Sequence, residues 1–286
     1  MSDSVPHWFT EALSDTGEPR WVEVHGAWVQ YRVWGPQGAP VVVLIHGGGA
    51  HSGWWDHLAP LLAGHRRVAA VNLTGHGSSD SRERYDFLTW ADEIIAVSTA
   101  EGSQRSYVVG HSMGGVVALA TAYRHHSQVA GTVAIDPPDW LVTEGGLPER
   151  RVHLPPHRFY PTQEAAAERF RARPQDSARI DFVERHVARQ SVHSTNSGWT
   201  WRFDTDVTRH DAISEGLWEG EHGPIALVLA ERSLLPVAQA DELVERLGSA
   251  VTLTIRDSGH HVMLDQPLAL LACLEGLLAW SSSLVR

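Results

Sequence analysis

Short apolar runs alternate with amphipathic stretches along most of the chain. The runs VVVLIH (41–46), SYVVG (106–110) and GTVAI (131–135) are typical of strands buried on both faces of a parallel sheet. The stretch FLTWADEIIAVSTA has helical spacing, with Thr89 as its candidate N-cap. This alternation predicts an α/β fold with a mostly parallel central sheet flanked by helices.

The alternation stops after GTVAI and resumes with the apolar run PIALVLA (224–230). We therefore predict three parts: a first body segment (1–136), an insert (137–223) and a second body segment (224–286). The insert is much longer than ordinary connections and contains helical pieces. Because it follows a strand's carboxyl end, where open α/β sheets bind ligands, we expect a mainly helical cap.

Composition excludes several kinds of chemistry. The 286 residues carry 34 acidic and 23 basic side chains, a net charge of -11, which disfavours nucleic acid and anionic membranes and mildly disfavours anionic substrates. The chain has no lysine, which excludes a P-loop and a pyridoxal Schiff base. Its one cysteine, Cys273, excludes an internal disulfide and a multi-cysteine zinc site. No HExxH signature occurs, and we expect no metal site and no cofactor.

The ends and apolar runs of the chain suggest no targeting or membrane segment. The first 20 residues lack the basic and apolar regions of a secretory signal. No apolar run approaches the roughly 20 residues that span a bilayer. We expect a cytoplasmic protein without a membrane partner. The pattern leaves its oligomeric state open, monomer or homodimer.

The stretch VVGHSMGGVV (108–117) carries the clearest chemical motif. It contains G-x-S-x-G between a predicted strand and a predicted helix, which indicates a nucleophile elbow with Ser112 at a strained turn. Gly110 and Gly114 would let the strand and the helix approach each other. A serine that merely caps the helix is the simpler alternative.

Four segments resemble the α/β-hydrolase superfamily over nearly the whole body. They are HGGG (46–49), LTGHGSSD (73–80), GHSMGG (110–115) and SGHHVMLDQP (258–267). The order, with the serine first and the histidine last, is also that of the family. The resemblance implies an α/β-hydrolase fold, and it places the oxyanion loop at HGGG and the catalytic base in the last loop.

The resemblance assigns roles to particular residues. His260, directly after Gly259, is the expected base in preference to His261. The oxyanion hole is expected from the backbone amides of Met113 and Gly48.

The acid that orients the base is less obvious. The family usually carries it two or three residues beyond Glu231, where this chain has Ser233 and Leu234. Some members carry it one strand earlier, where this chain has Asp136, and we take Asp136 as the acid. Glu231, or no acid at all, are the alternatives; Asp136 would then be a turn residue before proline.

Together these residues predict a serine hydrolase that cleaves an ester or lactone of a small, largely apolar substrate through an acyl-enzyme. Five residues are candidates for contact with that substrate: Trp54, Trp55, His111, Trp199 and Trp201. C–C bond hydrolysis, cofactor-free oxygenation and non-catalytic binding of a small molecule are the alternatives on the same fold.

Overall fold

One eight-stranded sheet organises the molecule. The computed structural model describes residues 5–138, 150–151, 154–175, 179–210, 220–248 and 250–284. Its strands are β1 Glu18–Val24, β2 Ala27–Trp34, β3 Val41–Ile45, β4 Arg67–Val71, β5 Ser106–His111, β6 Val129–Ile135, β11 Ile225–Arg232 and β12 Val251–Gly259. The sheet has the order β1-β2-β4-β3-β5-β6-β11-β12, and all neighbours beyond β4 are parallel.

Helices cover both faces of this sheet. The helices of the body are α1 His7–Ser14, α2 Ala59–Leu62, α3 Phe87–Ala100, α4 Met113–Arg124, α7 Val237–Arg246, α8 Val262–Asp265 and α9 Pro267–Leu284. The insert contributes α5 Gln163–Ala167 and α6 Asp181–Gln190. Two small antiparallel sheets pair β7 Arg150–Arg151 with β10 Arg209–His210 and β8 Val192–Thr195 with β9 Gly198–Trp201. Among the helices described, none is long and apolar enough to cross a membrane.

The central strands are buried on both sides, as the apolar runs predict. All five residues of β3 are buried. Val43 belongs to the core that contains residues of α3 and α4, whereas Val42 belongs to the core that contains residues of α2 and α9. This two-sided burial holds the carboxyl ends of β3, β5 and β6 side by side at one edge of the sheet.

Some local expectations were wrong. Asp86, not Thr89, caps α3, because its carboxylate accepts hydrogen bonds from the amides of Leu88 and Thr89. The residue pattern over 54–63 predicts one helix, but the chain instead forms a 3₁₀ turn over Ser52–Trp55 and then α2.

The insert differs from the expected helical cap in having strands as well. Its described residues form α5 and α6 together with the two small sheets, and the β8–β9 hairpin includes the tryptophan-rich stretch. Part of the insert, including 139–149 and 211–219, lies outside the described residues. The division at residues 136 and 223 stays a prediction.

Candidate active site

Ser112 lies at a turn that only small neighbours permit. It follows β5 and directly precedes α4, with φ of 54°, a strained conformation for a serine. A Cβ atom on Gly110 would lie 1.9 Å from the carbonyl oxygen of Gly114, and one on Gly114 would lie 2.4 Å from the carbonyl oxygen of His46. The two glycines therefore allow strand, helix and oxyanion loop to converge behind the serine.

Three side chains from separate parts of the chain form one hydrogen-bonded relay. The Ser112 hydroxyl lies 3.0 Å from Nε2 of His260, and Nδ1 of His260 lies 2.7 Å from Oδ2 of Asp136. Because a carboxylate only accepts, Nδ1 carries the proton and Nε2 is left to accept from the hydroxyl. The Ser112 amide also donates to the carbonyl of Ile135, the residue before Asp136, at 2.9 Å.

Asp136 is held as a buried carboxylate. Its side chain is fully buried, and it accepts hydrogen bonds from the amides of Ala230 at 2.9 Å and Leu234 at 3.3 Å. Burial acts to raise the pKa of Asp136, but hydrogen bonds from His260 and Ser233 outweigh it and lower that pKa below its ordinary value. Ser233 and Leu234, which cannot replace the acid, thus support it.

The two alternative residues lie outside this relay. Glu231 is exposed, and its carboxylate accepts from the amide of Asp257 at 3.0 Å. Nε2 of His261 donates to the carbonyl of Arg173 at 3.0 Å. Burial lowers the pKa of His261 to about 2, so the ring is neutral.

The expected oxyanion donors lie beside the serine. Gly48 is exposed and Met113 is partly exposed, and a Cβ atom on Gly48 would lie 3.9 Å from Cβ of Met113. Among the described residues, no protein acceptor takes either amide hydrogen. The next amide of the loop, that of Gly49, donates instead to Nε2 of His76 at 3.3 Å. Two unengaged N–H groups in one place are what an oxyanion hole requires.

Two buried histidines that the sequence analysis did not assign to the site brace the oxyanion loop. Nδ1 of His46 donates to the carbonyl of Gly47 at 2.7 Å, and the rings of His46 and His76 lie 4.7 Å apart. Burial lowers the pKa of His76 to about 4, which keeps its Nε2 free to accept from Gly49. His76 lies in the LTGHGSSD turn, and that motif was the available signal.

His111 is not a surface for substrate, contrary to expectation. It is buried, and its Nε2 donates to the backbone carbonyl of His260 at 2.8 Å. Burial and the neighbouring His260 ring lower the pKa of His111 to about 3. The side chain therefore ties the turn that carries Ser112 to the loop that carries His260.

A cavity of about 400 Å³ extends from the oxyanion loop to the insert. Its walls come from both parts of the chain: Gly48, Gly49, Trp54, Arg169, Phe170, Arg171, Ala172, Arg173, Ser191, Trp201, Phe203 and His261. The rings of Trp54 and Phe170 lie 6.0 Å apart, and those of Phe170 and Trp201 lie 6.4 Å apart. Aromatic rings therefore form much of its surface.

Two of the four tryptophans expected in the cavity do not line it. Trp55 is fully buried in the core against the sheet, where a substrate cannot reach it. Trp199 exchanges backbone hydrogen bonds with Tyr160 and is not among the lining residues. Adjacent tryptophans in a sequence point in different directions, so composition alone could not separate Trp54 from Trp55.

Comparison with known proteins decides the family. The model of the alpha/beta hydrolase family matches residues 42–272, most of the chain. The chain belongs to the α/β-hydrolase family. The prediction of this enzyme family and its fold from the four segments is confirmed.

This α/β-hydrolase is similar to two curated proteins in particular. It is 29% identical over 264 residues to the esterase Rv0045c of Mycobacterium tuberculosis, covering 86% of this chain and 84% of the esterase. Human monoglyceride lipase is 30% identical over 47% of this chain and 48% of the lipase.

Solved structures agree in fold. The structure of the same mycobacterial esterase, from work on its inhibition by transition metals, has a TM-score of 0.72 at 23% identity, over 96% of this chain and all of that one. E-2-(Acetamidomethylene)succinate hydrolase has a TM-score of 0.77 at 18% identity, over 92% and 99% of the two chains. At these identities the likeness concerns the fold alone.

Proposed function

We propose that this α/β-hydrolase is a serine esterase that works through an acyl-enzyme, with Ser112, His260 and Asp136 as its triad. The observation that carries the proposal is the relay itself, with contacts of 3.0 and 2.7 Å at a serine held in a strained turn. The similarity to an esterase over most of both chains supports the choice of an ester as substrate.

The chemistry follows from the proton positions. Nε2 of His260 takes the hydroxyl proton of Ser112 while Oγ attacks the acyl carbon. The amides of Met113 and Gly48 bind the oxyanion, and the imidazolium is stabilised by Asp136. The imidazolium then protonates the leaving alcohol, and water releases the acyl group by the same steps.

The cavity supports a substrate with an apolar or ring-containing part, an open ester or a lactone. Trp54, Phe170 and Trp201 offer aromatic faces along the cavity that begins at Gly48. Arginines 169, 171 and 173 are exposed at its wall, and no described acidic side chain pairs with them. Contrary to the expectation from net charge, this wall favours a substrate that also carries a negative group.

Labelling with a fluorophosphonate, followed by intact-mass measurement, tests the proposal. Wild-type protein should gain one adduct, and Ser112→Ala should gain none. Asp136→Asn should label at least about 100-fold more slowly, because the wrong tautomer of His260 is then favoured. Glu231→Gln is the matched control, since it also neutralises a carboxylate near the carboxyl end of β11, and it should label at the wild-type rate.

Two results would contradict the proposal. Folded wild-type protein that gains no adduct, despite an accessible cavity, would exclude an activated Ser112 and favour oxygen chemistry or simple binding. Equal labelling of Asp136→Asn and Glu231→Gln would remove Asp136 from the triad while keeping the serine hydrolase.

A further inference from the structure

Three buried histidine rings meet beside the nucleophile. The ring centroids of His111 and His260 lie 4.8 Å apart, those of His260 and His261 4.9 Å, and those of His111 and His261 5.6 Å. Each ring offers one nitrogen such that the three nitrogens all lie within 4.8 Å of one another. The relay uses only one of these rings, and each of the other two is held by a hydrogen bond from Nε2 to a backbone carbonyl.

The hydrogen bonds decide which nitrogens have a lone pair. Nε2 of His111 and Nε2 of His261 each face a backbone carbonyl, which only accepts, so both Nε2 atoms carry the proton. In the neutral rings, Nδ1 of each therefore has a lone pair, and both Nδ1 atoms are buried without a hydrogen-bond partner among the described residues. Nδ1–H of His260 donates to Asp136, which leaves a lone pair on Nε2 as well.

We propose that His111, His260 and His261 form a binding site for a divalent transition-metal ion such as Zn²⁺ or Cu²⁺, and that the bound ion inhibits the enzyme. Neutral imidazole nitrogens are the ligands that these ions favour. Two nitrogens bound to one ion at 2.0–2.1 Å are at most about 4.2 Å apart, so a pair at the 4.8 Å limit must close by at least roughly 0.6 Å. The buried carboxylate of Asp136 lies behind His260 and favours a cation there.

Inhibition follows from the shared ligand and rests on the proposed function. An ion bound to Nε2 of His260 replaces the hydrogen bond from Ser112. His260 then has no lone pair to accept the serine proton. Because each ring binds the metal through a nitrogen that already has a lone pair, the ion binds without releasing a proton from the rings. His261 lines the cavity, which gives the ion a route from solvent.

The first experiment measures metal sensitivity. Fluorophosphonate labelling of wild-type protein should slow at least 10-fold in micromolar Zn²⁺ or Cu²⁺ and recover after chelation, whereas Mg²⁺, which prefers oxygen ligands, should have no effect. His111→Gln and His261→Gln keep an N–H donor near the carbonyl and remove the imidazole lone pair. Each should raise the Zn²⁺ concentration for half-inhibition at least about 10-fold, relative to its own metal-free rate.

His57 provides a matched control. It too is buried, donates through Nε2 to a carbonyl, that of Met263, at 2.9 Å, and has an unpartnered Nδ1 among the described residues. It does not belong to the histidine cluster. His57→Gln should keep the wild-type sensitivity, and equal sensitivity of all the glutamine variants would overturn the proposal.

The second experiment does not depend on esterase activity. Ser112→Ala retains all three rings, so it should bind one Cu²⁺ per chain, with an electron paramagnetic resonance spectrum showing nitrogen ligands. Because this variant keeps all three histidines, its Cu²⁺ binding tests the site even if a glutamine variant fails to fold. Absence of Cu²⁺ binding to this variant overturns the proposal, whereas Cu²⁺ binding in a protein that fails to label with fluorophosphonate would keep the site and reject the esterase.

Discussion

The two sides of the cavity are built in different ways. The floor consists of Gly48, which lines the cavity, and of the neighbouring site residues Ser112, Met113, Asp136 and His260. It lies at the carboxyl ends of the body strands and is fixed by buried hydrogen bonds and by glycines in close contact. The roof, formed by 169–173 and 201–203, carries aromatic rings and exposed arginines.

Backbone hydrogen bonds join the two sides at the glycine turn 73–80. The amide of Gly77 donates to the carbonyl of Arg202, and that of Asp204 to the carbonyl of Gly75, both at 2.7 Å. The glycine turn 73–80 therefore anchors the roof as well as bracing the floor. We infer that the floor determines the reaction and the roof determines which esters enter, so changes to each should have distinguishable kinetic effects.

The strongest test of this division is Asp136→Asn. We expect kcat to fall about 10⁴-fold, as when the acid of a triad is replaced, because the imidazole loses its orientation and its counter-charge. The fold loss in kcat should be the same for an acetate ester and for a bulky aromatic ester, each measured at saturating concentration. A loss confined to one ester would mean that the floor also selects substrates.

Acid should destabilise the folded protein next most strongly. Burial lowers the pKa of His51 to about 3 and those of His57 and His76 to about 4. The unfolded chain binds protons on these residues below about pH 6.5, whereas the folded chain does not. Stability is therefore full above pH 6.5 and falls as the pH drops towards 4, by up to about 1.4 kcal/mol per pH unit for each histidine.

Urea unfolding between pH 7.5 and 5 measures this effect. In His57→Gln, the unfolding free energy should decrease less steeply with falling pH. The slope should be smaller by up to about 1.4 kcal/mol per pH unit, the effect of one proton, because one buried neutral ring is lost. An unchanged slope in that variant would show that His57 is protonated in the folded protein.

Trp201→Ala should have a smaller and more selective effect. Loss of a large ring from the roof should lower kcat/KM for the aromatic ester about 10-fold, the scale of one partly buried apolar side chain. Activity on the acetate ester should change less than about 3-fold. Trp199→Ala, two residues along the same strand but outside the cavity lining, is the control. Equal losses on both esters would mean that Trp201 supports the floor.

The floor was far more predictable than the roof. Ser112 and His260 stand in local motifs, and Asp136 could be named because Ser233 and Leu234 occupy the usual position of the acid. These residues follow parallel strands, whose carboxyl ends lie at the same edge of the sheet. That arrangement is enough to bring them close together. The brace by His76 and the inward direction of Trp55 depend on partners distant in sequence, for which no local pattern exists.

The same limit applies to the roof and the histidine cluster. The strands in the small sheets of the insert are short and show little periodicity. The helical spacing elsewhere in the insert therefore led to the prediction of a mainly helical cap. His111 and His260 are 149 residues apart in the sequence, and only the fold brings their rings together.

The smallest expected effect concerns the arginines of the roof. Exposed charges act through a high dielectric, so one arginine should contribute less than about 1 kcal/mol to binding an anionic substrate. Arg171→Gln should therefore lower kcat/KM about 3-fold for a monoester of a dicarboxylic acid, with no change for an uncharged ester of equal length. The difference should vanish in high salt, because the Debye length shrinks to about 3 Å at 1 M. Arg185→Gln, an exposed arginine paired with Asp181 outside this cavity, is the control. If both variants behave alike, the arginines act only through net charge, and the roof selects by its aromatic surface alone.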